Sequence, residues 1–102
     1  MMLKPVTLVQ TCYACPSQWE GKLDDGRMFY IRYRWSEGSV EVSPTPTDDV
    51  MQAVGGELVC AFDNGDASGL GGDMDTAEMQ LLTSHALDWS AILAAAPTGG
   101  ET

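Results

Sequence analysis

The stretch Met28-Phe29-Tyr30-Ile31-Arg32-Tyr33-Arg34-Trp35 decides the fold of this chain. Successive side chains of a β-strand point to opposite faces, so this stretch has one apolar and aromatic face and one mixed face. The apolar face consists of Phe29, Ile31, Tyr33 and Trp35, and the mixed face consists of Met28, Tyr30, Arg32 and Arg34. The first face is predicted to be buried. The second carries two guanidinium groups and is expected at the surface, or under a ligand or partner chain that supplies negative charge.

Turn signals flank this strand on both sides. Asp25-Gly26 accepts the positive φ angles of a two-residue type I′ turn, which predicts a hairpin with an extended segment at residues 17–23. Ser36-Glu37-Gly38 supplies a second turn, after which residues 39–42 alternate again. The three segments are therefore predicted to form an antiparallel meander.

Further elements lie outside the meander. Residues 6–11 and 58–62 are predicted as strands, and residues 48–54 as a short helix capped by Thr47. Asp75 is predicted to cap a longer helix that reaches about residue 95. This helix carries one apolar stripe, made of Met79, Leu82, Ala86, Trp89 and Leu93. The predicted fold class is α+β: an antiparallel sheet of about four or five strands with a C-terminal helix packed on one face. Residues 1–96 are predicted to form a single domain and residues 97–102 a flexible tail.

Composition limits the functional classes. The chain has 102 residues, 15 acidic and 5 basic side chains, and a net charge of −10. So acidic a surface repels phosphate, and direct nucleic-acid binding is not expected. The longest apolar run spans residues 91–96, too short to cross a bilayer, and the start lacks the apolar stretch of a signal peptide. No membrane association and a cytoplasmic location are therefore predicted.

Only 20 residues are Leu, Ile, Val or Phe, which makes burial marginal for a monomer of this length. A homo-oligomer that covers the face of Tyr30, Arg32 and Arg34 is therefore expected.

The charges are segregated along the chain. All five basic residues lie within residues 1–34, where the local balance is +2, whereas residues 35–102 hold twelve acids and no base. Segregation of this kind places a small basic patch on an otherwise anionic surface. The alternative interpretation is that the pattern arose by neutral substitution of solvent-exposed residues and has no function.

One hairpin carries most of the patch. Arginine forks pair with phosphate and aromatic rings stack on bases, so an anionic, nucleotide-like ligand suits this mixture. The candidate ligand-binding residues are Trp19, Lys22, Arg27, Tyr30, Arg32 and Arg34. The same residue types also dominate protein interfaces, and a plain structural role for Trp19 and Tyr30 is the third interpretation.

Motifs for metals and catalysis are weak. Cys12 and Cys15 have CxxC spacing, and with Cys60 and His85 they would complete a zinc set, but a second short Cys/His pair is missing. Residues 64–75 resemble an EF-hand loop only loosely. No pattern such as GxSxG or HExxH occurs, and a lone histidine lacks a catalytic partner. No cofactor, metal or enzymatic activity is therefore predicted, and a hydrolase that uses the acidic loop with a metal is the least favoured class.

The run Cys15-Pro16-Ser17-Gln18-Trp19-Glu20-Gly21, with Asp25-Gly26-Arg27 and Tyr30-Ile31-Arg32-Tyr33-Arg34, resembles a motif of short uncharacterised proteins from actinobacteria and their phages. The resemblance covers about a fifth of the chain and carries no catalytic residue with it. It implies a phage or accessory-gene setting, in which small proteins act against host defence.

Two functional hypotheses follow. The first is a non-enzymatic protein that captures an anionic, nucleotide-like ligand on the hairpin and so sequesters a host defence signal. The alternative is an acidic inhibitor or adaptor that binds a host protein, its carboxylates imitating the charge of DNA or complementing a basic partner.

Overall fold

Five strands form one antiparallel sheet in the order β1-β2-β3-β4-β5. The strands are β1 Val9–Tyr13, β2 Ser17–Lys22, β3 Met28–Arg34, β4 Glu37–Val42 and β5 Glu57–Asp63. A computed structural model describes residues 2–13, 17–34, 37–63 and 74–95. The sheet and the helices that follow it confirm the predicted α+β class.

Several sequence predictions lie outside the described residues. They concern Cys15 of the CxxC pair, Trp35 of the apolar face, most of the EF-hand-like loop and the tail at residues 97–102.

The hairpin between β2 and β3 has a three-residue loop instead of the predicted two-residue turn. Leu23 N–H donates to Arg27 O at 2.8 Å, and Gly26 N–H donates to Leu23 O at 3.0 Å. The loop is therefore Asp24-Asp25-Gly26, and Gly26 has a φ of 90°. A three-residue hairpin loop needs one residue in the left-handed region at its end, which glycine adopts without a steric penalty. The Asp-Gly pair therefore predicted the hairpin correctly, but the predicted loop length of two residues was wrong.

The main core lies on one face of the sheet. It contains the predicted apolar face of β3 together with side chains from β2, β4, β5 and the C-terminal residues 74–95. Its large members from the sheet are Trp19, Phe29, Ile31, Tyr33, Val40, Val42 and Phe62. Met79, Leu87 and Trp89 pack on them from the C-terminal segment, and the Trp89 ring meets the Phe29 ring edge-on, with 6.0 Å between centroids.

The C-terminal segment forms two short helices, which corrects the prediction of one helix to about residue 95. These are α1 Thr76–Leu82 and α2 Ser90–Ala95. The predicted cap is present: the Asp75 carboxylate accepts from Glu78 N–H at 2.7 Å. The first helix ends at Leu82, because the next residue, Thr83, has backbone angles outside the helical region (φ −105°, ψ 4°) and the chain then turns. The turn brings Leu87 beside Leu3 in an isolated bridge.

The predicted helix at residues 48–54 is also shorter than expected. It is a 3-10 turn at Val50–Gln52, capped by the Asp49 carboxylate, which accepts from Met51 N–H at 3.0 Å. Gly55, with a φ of 75°, follows it. No helix in the described part of the chain has the length and apolarity that a membrane crossing requires.

Candidate functional site

The second face of the sheet holds the candidate site. Residues that are directly opposed in antiparallel strands point to the same face. The register therefore groups this face into rows. The first row consists of Arg34, Glu37 and Asp63, on β3, β4 and β5. The second row consists of Gln18, Arg32, Ser39 and Ala61, on β2 to β5. The third row contains Glu20, Tyr30 and Glu41, on β2, β3 and β4.

One end of this face is covered by the chain between β4 and β5. Lys22 pairs with Asp48, and Glu41 Oε1 accepts from Gly55 N–H at 3.2 Å. Met28 and Ala53 are buried but lie apart from the main core cluster. These contacts place the 3-10 segment over the Met28 end of the face. At the other end, Arg32 is exposed.

The exposed end contains a groove of about 540 Å³, which we call the Arg32 groove. Its charged and polar lining consists of Arg32, Arg34, Ser39, Glu37 and Asp63, and its apolar lining includes Leu58 and Phe62. Leu58 is 60% exposed, whereas the Phe62 side chain is 8% exposed and its ring stacks on Tyr33 with 6.4 Å between centroids. Gly38 makes this packing possible, because a Cβ there would lie 2.2 Å from the Phe62 ring.

Arg32 is the most available cation of the groove. No carboxylate of a described residue lies within salt-bridge distance of it, and its cross-strand neighbours Gln18 and Ser39 are neutral. Arg34, two residues along the same strand, is half-buried beside Glu37. The prediction that both guanidinium groups lie on one side of a strand whose other side is buried is therefore confirmed by the register.

Tyr30 adds a hydroxyl donor beside Arg32. Gln18 Nε2 donates to Tyr30 Oη at 2.8 Å. Because the phenol oxygen is the acceptor in this bond, its own hydrogen can be donated to a different group. Burial raises the pKa of Tyr30, and the nearby Arg32 charge only partly opposes this effect. Tyr30 is therefore a neutral phenol at neutral pH. A guanidinium, a phenol and a serine hydroxyl together form a donor-rich surface suited to an oxyanion.

Three other candidate residues are placed elsewhere. Trp19 is fully buried on the core face, where its Nε1–H donates to Thr76 Oγ1 at 2.9 Å. Its ring therefore cannot stack on a ligand held at Arg32, and its role is structural. Arg27 Nε lies 2.8 Å from Asp25 Oδ2, and Arg27 Nη1 lies 3.9 Å from Glu57. Lys22 is at the covered end with Asp48.

The two described cysteines, Cys12 and Cys60, lie far apart in the fold. Cys12 and Cys60 lie on β1 and β5, the two edges of the sheet, so four strand spacings put them about 19 Å apart. His85 is exposed on the turn after α1. Within residues 2–13, 17–34, 37–63 and 74–95, no group of three or more metal-ligating side chains comes together.

Comparison with known proteins adds no identity to this geometry. No family model matches the chain, and no curated protein or solved structure matches it either. The functional argument therefore depends on the site itself.

Proposed function

We propose that this protein is a non-enzymatic binding protein that captures an anionic, nucleotide-like small molecule in the Arg32 groove. One observation carries the proposal: Arg32 is exposed in a groove of about 540 Å³, with neutral neighbours across both adjoining strands. A guanidinium that makes no salt bridge with a described carboxylate offers its fork to a phosphate, and charge-assisted pairs of this kind are about twice as strong as neutral hydrogen bonds.

The neighbouring side chains have distinct roles in this proposal. The Tyr30 and Ser39 hydroxyls donate to phosphate oxygens held by Arg32, and Arg34 adds positive potential. Leu58 supplies apolar contact for the uncharged part of the ligand. In the cytoplasm of a phage-infected host, such capture would sequester a defence signal, in line with the setting that the sequence resemblance implies.

Calorimetric titration against mono-, di- and cyclic nucleotides at fixed low salt tests the proposal. We expect Arg32→Gln to weaken binding roughly 10- to 100-fold, because it removes a charge-assisted hydrogen bond. Lys4→Gln is the matched control. It also removes one positive charge, but Lys4 is exposed on the N-terminal segment and lies near Asp88, away from the groove. Absence of heat with every nucleotide, or an equal effect of both substitutions, contradicts the proposal.

A second candidate function is an acidic adaptor or inhibitor of a host protein. Its supporting observation is the charge of residues 37–63, which contain six acids and no base. Asp48, Asp49, Glu57 and Asp63 are all exposed. Such a surface favours a basic partner and rapid association. A pull-down from host lysate should lose its partner after Asp48→Asn/Asp49→Asn, and retain it after Arg32→Gln. The reverse pattern contradicts this candidate.

We also propose that the chain self-associates through the face of Tyr30, Arg32 and Arg34. In that case a second copy competes with the ligand for the Arg32 groove. Light scattering across micromolar concentrations should then show an oligomer that dissociates when nucleotide is added. A monomer at every concentration contradicts self-association and leaves the ligand proposal intact.

A further inference from the structure

A second groove lies among the helices, on the other side of the sheet from the Arg32 groove. It has a volume of about 440 Å³ and lies between α1, α2 and the N-terminal segment. Its apolar lining consists of Met2, Ala77, Leu81, Leu87, Trp89 and Leu93. We call it the Leu81 groove.

The rim of the Leu81 groove is apolar and exposed. Leu81 is 72% exposed, the highest fraction among the large apolar side chains that the structure describes, and Leu93 is 61% exposed. Leu87 and Trp89 are buried and form the floor. Exposed apolar side chains grouped around a groove are typical of an interaction site. The Arg32 groove is lined by other residues, so ligand capture there does not account for this exposure.

The backbone around the groove indicates the form of the partner. Extended peptides gain affinity by hydrogen bonding to the main chain of an open sheet edge. Here the lining segments bond internally: Leu87 N–H donates to Thr83 O at 2.9 Å, and Leu93 N–H donates to Trp89 O at 3.0 Å. A partner must therefore bind through side-chain packing, which an amphipathic helix supplies through its i, i+3 and i+4 positions.

The charge around the groove favours a basic partner. Asp88 lines the groove, and Glu78 lies one helical turn before Leu81 on the surface of α1. Hydrogen bonds from Ser90 and the nearby Lys4 charge lower the pKa of Asp88, so this carboxylate is ionised at neutral pH. Residues 74–95 contain three acids and no lysine or arginine, so Lys4 offsets only part of the negative charge. Lysine or arginine on the partner would complement it.

The same charges disfavour a second copy of this chain. A symmetric dimer uses the same surface of both copies, so pairing through the Leu81 groove would bring together the Glu78 and Asp88 carboxylates of both. Like charges across an interface oppose association.

We propose that the Leu81 groove is a docking site for a basic amphipathic helix of a partner protein. The apolar face of that helix covers Leu81, Leu93 and Trp89, and its flanking basic side chains pair with Glu78 and Asp88. The inference goes beyond the acidic-adaptor candidate, whose carboxylates lie in residues 37–63, and it does not depend on nucleotide capture at Arg32.

Selection on the full chain from a displayed library of helical peptides of about 16 residues tests the proposal. We expect the enriched peptides to repeat apolar residues at i, i+3 or i+4 and i+7, and to carry more lysine and arginine than acid. Fluorescence anisotropy of a selected peptide should show roughly tenfold weaker binding to Leu81→Ser/Leu93→Ser. The control Met51→Ser/Leu58→Ser removes two side chains that are 64% and 60% exposed on other surfaces, and it should keep the affinity.

A second pair of variants tests the charge. Glu78→Gln/Asp88→Asn should weaken the selected peptide roughly threefold or more at low salt, because it removes the carboxylates beside the groove. Asp48→Asn/Asp49→Asn removes as many charges from the segment between β4 and β5 and should leave the affinity unchanged.

The remaining outcomes overturn the proposal. They are no enrichment, enriched peptides without a basic excess, and equal affinity for the unmodified protein and Leu81→Ser/Leu93→Ser. A dimer in sedimentation velocity that becomes a monomer in Leu81→Ser/Leu93→Ser also overturns it, because a second copy is then the occupant. Failure here leaves nucleotide capture in place, and Arg32→Gln, which tests nucleotide capture, should bind the selected peptide as the unmodified protein does.

Discussion

Thr83 joins the two short helices through a buried hydrogen-bond relay, and Thr83→Val tests its contribution to stability. The fully buried Thr83 hydroxyl accepts from Trp89 Nε1–H at 2.9 Å and donates to Met79 O at 2.8 Å. Valine has nearly the same shape but cannot accept, so the indole N–H is left buried without a partner. Met79 O remains satisfied because Thr83 N–H also donates to it, at 3.1 Å.

The magnitude follows from these contacts. An unsatisfied buried donor costs about 1–3 kcal/mol, and the added methyl group recovers at most about 0.8 kcal/mol. The expected net loss is about 1–2 kcal/mol in the free energy of unfolding, or a fall of about 5–15 °C in Tm. Urea unfolding followed by far-UV circular dichroism measures it. Ser84→Ala, which removes an exposed hydrogen bond to Leu81 O in the same turn, should cost less than about 0.5 kcal/mol.

A double-mutant cycle isolates the relay itself. Trp89→Phe removes the indole donor, so Thr83→Val should cost less in that background, with a coupling of at least about 1 kcal/mol. An equal cost of Thr83→Val beside Trp89 and beside phenylalanine would refute the reasoning, because the loss would then come from helix propensity alone.

Three further predictions concern packing, pH and thiol reactivity. Gly38→Ala should destabilise the protein by about 1–3 kcal/mol in urea unfolding, because its Cβ would displace the Phe62 ring from Tyr33; Ser39→Ala, which adds no bulk, should not. The Arg27 N–H groups lower the pKa of Asp25 below its ordinary value of 3.8, and the Lys22 ammonium does the same for Asp48. Both ionised carboxylates therefore stabilise the fold above pH 3.8. This stabilisation should disappear as the pH falls through the lowered pKa values of the folded state. In a plot of Tm against pH, the fall in Tm at acid pH should therefore be shallower in Asp25→Asn/Asp48→Asn but unchanged in Asp24→Asn. Burial raises the pKa of the Cys60 thiol, so iodoacetamide at pH 8 should label it more slowly than in urea, as read by mass spectrometry; equal rates would contradict its packing against the core.

The sheet could be predicted from the sequence because its signals are local. The alternation along β3 and the Asp-Gly turn fix a strand and its neighbour within a few residues, and Asp75 marks the start of α1 by its own hydrogen bond. The helix beyond Leu82 could not be predicted in the same way. The apolar stripe continues past Thr83, but the backbone of Thr83 leaves the helical region and its buried hydroxyl accepts from the Trp89 indole, a side-chain contact that periodicity does not contain.

The candidate site was predictable in part for the same reason. Period-two alternation correctly places Tyr30, Arg32 and Arg34 on one face, because it is a property of a single strand. The position of Trp19 depends on the register between β2 and β3, which sets it opposite Ile31 on the core face. Glu37 and Asp63 meet through the register of β4 and β5, and no turn or motif in the sequence indicates it.

The edge strand β5 also bears on how this protein behaves in concentrated solution. An exposed strand edge can recruit identical chains into growing fibres, and Leu58 adds apolar surface there. An antiparallel β5–β5 pair centred on Cys60 would set Glu57 of one copy opposite Asp63 of the other, at both ends of the strand. These terminal carboxylates would oppose such a pair, and neutralising both should favour a dimer through β5.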